Sequence, residues 1–226
     1  VRELAPGVWQ LGGFPRNAIN CYLVGDVLVD AGTRHDYRWI LPQLKTCEIS
    51  AHALTHAHGD HQGSSHTVCT RLGVPFWVGA GDAAAAEAGG HAVYADMPQP
   101  LALMPRIYRQ IMPGPGHPVD RVLREGDALA GFTVLETPGH SAGAVSLWRE
   151  SDRTLIAGDA FTTMDVITLR RGLHEPKGYF TPDPARNRAS LRRLAALEPA
   201  LACVGHGPPL RDPAALSAFA AALPAG

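Results

Sequence analysis

One stretch, Thr55-His56-Ala57-His58-Gly59-Asp60-His61, limits what this chain can fold into more than any other. It packs three histidines and an aspartate into six consecutive positions. Imidazole nitrogens and carboxylate oxygens are the usual ligands of zinc and related first-row ions. The flanks supply the geometry. Residues 49–55 read as a short strand entering a buried sheet, and residues 61–73 as a helix stopped by a glycine. A loop between a strand's carboxyl end and a helix's first turn can fold back and aim alternate side chains at one place. Gly59 is expected to give that loop its freedom to turn. His56 and His58 then face one metal, and Asp60 and His61 a second point close by.

The rest of the chain repeats this logic of strand, polar loop and helix. Strands are predicted at residues 8–11, 19–24 and 27–30, then at 75–78, 121–124, 132–137 and 201–204. A hairpin is predicted from 144–148 and 154–157. Helices are predicted at 36–45 with a break at Pro42, at 82–88 with Asp82 as N-cap, at 184–197, and from Pro213 to about residue 223 with Asp212 as N-cap. Residues 91–118 are rich in proline and glycine yet contain an apolar helical stripe near 103–112. Residues 161–182 show little periodicity. No linker or low-complexity segment interrupts the chain, so residues 1–226 are read as a single domain.

Three more residues share the setting of the first run, each at the end of a short apolar strand beside a glycine: His140 in Thr137-Pro138-Gly139-His140-Ser141, Asp159 after Gly158, and His206 between Gly205 and Gly207. Strand carboxyl ends are where open sheets place their sites. Taken singly, each of the three reads as a turn residue. Taken with the first run they make a set.

That set resembles the metallo-β-lactamase-fold hydrolase superfamily, glyoxalase II-like or lactonase-like, over residues 8–210; Leu28-Val29-Asp30-Ala31-Gly32 resembles its strand-ending acidic turn. The resemblance implies an α/β chain folded as a four-layer αββα sandwich: two mixed sheets, helices outside, and the site at one edge. It implies that His56, His58 and His140 bind a first metal, that Asp60, His61 and His206 bind a second, and that Asp159 bridges them. Two zinc ions are expected, with iron or manganese as alternatives. They would activate a water near neutral pH, and Asp60, the catalytic candidate, would orient it. Asp30 is a candidate to fix the ligand loop by hydrogen bonding.

Departures from subfamilies narrow the activity. Ala57 stands where a glyoxalase II usually has histidine, and His58 where flavodiiron-type members have glutamate. Asp159 is often missing from zinc β-lactamases. The reading is a hydrolase of a small ester, thioester or lactone. The alternatives are a mononuclear iron persulfide dioxygenase, a zinc β-lactamase-like amide hydrolase, and a metal-bound sensor without catalysis. Met104, Tyr108, His174 and Tyr179 are substrate-pocket candidates, with Arg106 and Arg109 placed to meet an anionic group or to be solvated. His35, His52, His66, His91 and His117 match no motif and read as surface or core residues.

A net charge of −1 points to a small-molecule substrate and away from nucleic acid or an anionic membrane as partner. Cys21, Cys47, Cys69 and Cys203 are widely spaced and read as buried small apolar residues, which fits a reducing cytoplasm. Oligomeric state is not legible.

Overall fold

The computed structural model describes residues 1–90 and 110–224. Met104, Tyr108, Arg106, Arg109 and His91 lie outside the described residues, as does most of the helix predicted at 103–112; its last described positions, Gln110 and Ile111, are helical.

Two mixed sheets form the centre. The first runs in sequence order: β1 (Arg2–Ala5), β2 (Val8–Gln10), β3 (Tyr22–Val24), β4 (Val27–Val29), β5 (Ala51–Ala53), β6 (Phe76–Gly79) and β7 (Arg121–Leu123). Its first four strands pair antiparallel and its last four parallel. The second sheet contains β8 (Ala128–Leu129), β9 (Phe132–Glu136), β10 (Val145–Arg149), β11 (Thr154–Gly158) and β14 (Leu201–Val204) in the spatial order β14-β11-β10-β9-β8. Only β14 joins it parallel, against β11. The predicted hairpin is β10–β11, with Leu147 opposite Ile156.

The sheets pack face to face. Val8, Tyr22, Val27 and Ala53 of the first meet Phe132, Val134, Leu147 and Ile156 of the second in one buried cluster. Each such aliphatic side chain contributes about 1.5–3 kcal/mol on leaving water. Helices cover both outer faces. α1 (Tyr37–Gln43) and α3 (Ser65–Leu72) place Ile40 and Val68 on Leu23 and Leu28 of the first sheet. α5 (Pro184–Ala195) and α6 (Pro213–Ala222) place Leu191, Leu194 and Leu216 on Leu155 and Val204 of the second. This is the expected αββα layering, and it explains why β4, covered on both sides, is Val-Leu-Val with no polar alternation. Asp183 and Asp212 accept from Arg186 N and Ala215 N, capping α5 and α6. No helix among the described residues is long and apolar enough to cross a membrane.

Several local expectations are corrected. The strand predicted from residue 19 begins at Tyr22, because Ile19 and Asn20 turn away to meet the second sheet's end: Asn20 Nδ2 donates to Val204 O and Gly207 O at 2.8 Å. The helix predicted over 61–73 is two, α2 (Gly59–Gln62) and α3. At the break, a Cβ on Gly63 would stand 2.3 Å from Met112 O and 2.4 Å from Arg34 N, so the chain can pass there only as glycine. Ser64 Oγ donates to Thr33 O at 2.6 Å and accepts from Tyr37 N at 2.8 Å, anchoring the break to the start of α1. Gly59 opens α2 and is not in the left-handed region; its small size matters instead, since a Cβ would lie 2.9 Å from Pro113 N. Asp82 precedes the short helix α4 (Ala83–Glu87) but makes no side-chain cap to it. Cys47 is exposed in the turn after α1, whereas the other three cysteines are buried. Residues 161–182 contain a hairpin that weak periodicity hid, β12 (Thr162–Met164) with β13 (Arg171–His174).

Candidate metal centre

Every candidate ligand sits just past the carboxyl end of a strand: the run 56–61 after β5, His140 after β9, Asp159 after β11 and His206 after β14. Three groups have ligand atoms within 4.8 Å of one another and could hold a metal ion: His56, His58 and His140; His56, His61 and Asp159; and Asp60, His61 and His206. Asp159 lies between the two outer groups. Its Oδ2 is 3.6 Å from His61 Nε2, 3.6 Å from His140 Nε2 and 3.1 Å from His206 Nε2. Asp60 Oδ2 is 3.4 Å from His206 Nε2. So close a convergence needs Gly205, where a Cβ would fall 2.0 Å from Asp159 Oδ1 and 2.6 Å from the His61 ring.

Hydrogen bonds to the outer ring nitrogens set the tautomers. Thr55 Oγ1 donates to Asp30 Oδ2 at 2.8 Å, so it accepts from His56 Nδ1 at 3.0 Å. His61 Nδ1 donates to the same Asp30 oxygen at 2.8 Å. His140 Nδ1 meets Thr181 Oγ1 at 3.1 Å, and His206 Nδ1 donates to Ala18 O. An N–H committed outward leaves the Nε2 lone pair facing the centre. Asp30 adopts φ 60°, a conformation rare outside glycine, and also accepts from Thr55 N at 2.8 Å. One strained aspartate thus orients His61 directly and His56 through Thr55.

The residue sequence reasoning missed is Asp82. Its buried carboxylate accepts from Ala57 N at 2.8 Å, Ser141 Oγ at 2.7 Å and Gly143 N at 2.7 Å. It therefore ties the first ligand loop to the loop that carries His140. The only signal for it was an aspartate beyond a strand, which reads equally well as a helix cap.

The donor set fits a cation. Among buried polar side-chain atoms without a hydrogen-bond partner are His56 Nε2, His140 Nε2 and Asp159 Oδ1, all in this cluster. Unpaired buried polar atoms are costly and rare, so three in one cluster call for a ligand. Burial pushes His140 down to about 4 and His56 well below its ordinary value, with neighbouring histidines adding to the effect on His56. At His206 burial acts the same way, yet Asp159 and Asp60 outweigh it and push the ring up to about 10. His61 is likewise raised against its burial by Asp159 and Asp30. One end of the cluster thus offers neutral lone pairs, while the other holds carboxylates that demand positive charge.

Beside the cluster opens a cavity of about 320 Å³, lined by His58, Asp60, His140, Asp159 and His206 on one side. Met112, the described end of the apolar segment 101–112, also lines it. His174 and Tyr179 are not among its lining residues: His174 Nε2 is bonded to Arg170 O at 3.0 Å, and Tyr179 packs on Phe180, which does line it.

A model of the metallo-beta-lactamase superfamily matches residues 15–206. A probable metallo-hydrolase of Bacillus subtilis, YflN, is 30% identical over 203 residues, covering 81% of this chain and 76% of that protein. The metallo-beta-lactamase family protein TTHA1429 of Thermus thermophilus superposes with a TM-score of 0.66 at 28% identity, over 97% of this chain and 78% of that one. TTHA1623, solved in a di-iron-bound form, superposes with a TM-score of 0.59 at 28% identity, over 92% of each chain.

Proposed function

This chain belongs to the metallo-β-lactamase superfamily and is a metal-dependent hydrolase, and we propose that it uses a dinuclear centre to cleave a small ester, thioester or lactone. The observation that carries the reading is that His56 Nε2, His140 Nε2 and Asp159 Oδ1 are buried without partners in a cluster of adjoining ligand groups. His56, His58 and His140 would hold the first ion and Asp60, His61 and His206 the second, with Asp159 placed between the two groups. When bound, such a pair supplies Lewis acidity and a water activated near neutral pH.

The chain's own groups do the rest. Asp60 is only half-buried and borders the cavity, so its carboxylate can orient an attacking water toward a carbonyl held there. The carboxylates of Asp30 and Asp82 fix the ligand loops before substrate arrives, so little reorganisation accompanies the reaction. Zinc is the metal proposed. The di-iron form of TTHA1623 makes iron the alternative to test first, with manganese after it. We place the protein in the cytoplasm, acting on a small molecule.

Metal analysis of protein purified without supplementation, together with a panel of ester, thioester, lactone, β-lactam and phosphodiester substrates, tests the reading. About two zinc per chain with ester, thioester or lactone turnover is the expected result. One iron per chain with oxygen consumption on a persulfide would replace it with the dioxygenase reading.

A further inference from the structure

We propose that the substrate presents a neutral, apolar group beside its scissile bond, and that the hairpin β12–β13 and the loop after it exclude anionic ones. The inference rests on the hydrolase reading above and names its substrate class.

The cavity's lining has two unlike parts. Besides the metal ligands, it includes Ile19, Val166, Ile167, Leu169, Pro176 and Phe180. Leu169 is 55% exposed, an apolar side chain left open to water at the cavity's edge. An apolar wall contributes to binding only against an apolar partner.

The charges on that wall are already matched. Lys177 is the only basic side chain other than histidine among the described lining residues, and its Nζ lies 2.5 Å from Asp165 Oδ2. Asp165 is 5% exposed and also accepts from Ile167 N at 3.0 Å and Thr168 N at 2.8 Å. Burial alone would raise its pKa, but Lys177 and these backbone donors hold its carboxyl well below the usual carboxylate range. The other lining acid outside the metal cluster, Glu175, is held by Arg188 of α5 at 2.7 Å. Arg170 and Arg171 on the same hairpin are exposed and do not line the cavity. Among the described lining residues outside the metal cluster, an anionic substrate group would therefore lose its hydration without gaining an unpaired cation, while facing Asp165 and Glu175.

Two phenyl esters of equal length test this on the metal-loaded protein: a hexanoate, and its counterpart ending in a sulfonate, an anion that ligates metals poorly. The wild type is expected to prefer the neutral ester by about tenfold or more in kcat/KM. Asp165→Asn leaves Lys177 unpaired and should shift the ratio toward the sulfonate by about tenfold. Lys177→Met leaves Asp165 unpaired and should shift it the other way, which decides the matter if Asp165→Asn fails to fold. Equal or better use of the sulfonate by the wild type overturns the proposal and favours the anion-binding role considered for Arg106 and Arg109. So does a ratio that neither variant moves. Calorimetric titration with the corresponding uncleavable amides separates this inference from the hydrolase reading. Selective binding of the neutral amide without ester turnover sinks the ester, thioester or lactone reading alone; failure of the neutral amide to bind, or tighter binding of the sulfonate, sinks this one.

Discussion

The two ends of the ligand cluster use the same residue type and oppose each other electrostatically. His56, His58 and His140 crowd together with ring centroids 4.5–4.7 Å apart, and burial keeps His56 and His140 neutral. His61 and His206 are as deeply buried, yet Asp159, Asp30 and Asp60 raise them. His56 and His61 are only five positions apart, one on the loop after β5 and one in α2, and the difference comes from further away. What sets it is which carboxylates the other strand ends deliver. The three-histidine end is a ready set of lone pairs. The carboxylate end attracts positive charge, and protons must leave it before a metal can enter.

The largest effect should come from the residue the two ends share. Asp159→Ala is expected to strip metal from both ends and reduce turnover to background, with the circular dichroism spectrum unchanged. His56→Ala and His140→Ala should each abolish turnover while losing only the first ion, and His206→Ala should lose only the second. Inductively coupled plasma mass spectrometry of each variant gives the count. An Asp159→Ala protein that kept both ions would remove the bridge from the proposal.

Next in size is a contrast between two buried aspartates that touch no substrate. Asp30 holds His61 directly and reaches His56 only through Thr55. Asp82 holds the backbone of the loops carrying His56, His58 and His140. Asp30→Asn is expected to cost the carboxylate end about 10–100-fold in metal affinity, the range for partners that orient a ligand. Asp82→Asn should weaken the three-histidine end, and by less, because it shifts backbone rather than a ligand ring. A chelator titration resolved into two phases, assigned with His56→Ala and His206→Ala, measures both. If both substitutions weakened the same phase, the ends would not be separately supported.

The ligand run was readable because its chemistry is local: six positions hold four candidate ligands, and a strand and helix flank them. The layering was readable for a similar reason, since runs such as Val27-Leu28-Val29 and Leu201-Ala202-Cys203-Val204 belong only in covered sheets. Asp82 was not readable. Its partners are 25 and 59–61 positions away, and its local context is that of a helix cap. The hairpin at 162–174 was hidden because its strands are short, its register slips between Thr162 and Met164, and the turn that joins them lines a cavity. The sequence signals what packs or ligates nearby, and is silent about partners that only the fold brings together.

The smallest effect on activity, and the sharpest control on the comparison, belongs to His52. It lies on β5, four positions before His56, and is equally buried. Both of its nitrogens are used, however: Nδ1 donates to Leu28 O at 3.0 Å and Nε2 accepts from Ser65 Oγ at 2.8 Å, with the ring stacked on Phe76. It joins β5 to α3 and has no lone pair to offer. His52→Gln should leave metal content intact and lower stability by about 1–3 kcal/mol. Burial pushes its pKa down to about 4, from 6.5 in the unfolded chain. Between those values the unfolded chain binds a proton that the folded one refuses. The stability His52 contributes is therefore complete above pH 6.5 and is lost toward pH 4, with a slope of up to about 1.4 kcal/mol per pH unit. His56 and His140 slope the same way in metal-free protein, so the variant is compared with metal-free wild type and only the difference is read. Urea midpoints taken from pH 7 down to pH 4 should converge as pH falls. Parallel curves would mean that His52 takes up its proton as readily in the fold as in the unfolded chain, and that satisfied and unsatisfied histidines do not divide as the two ends of the cluster imply.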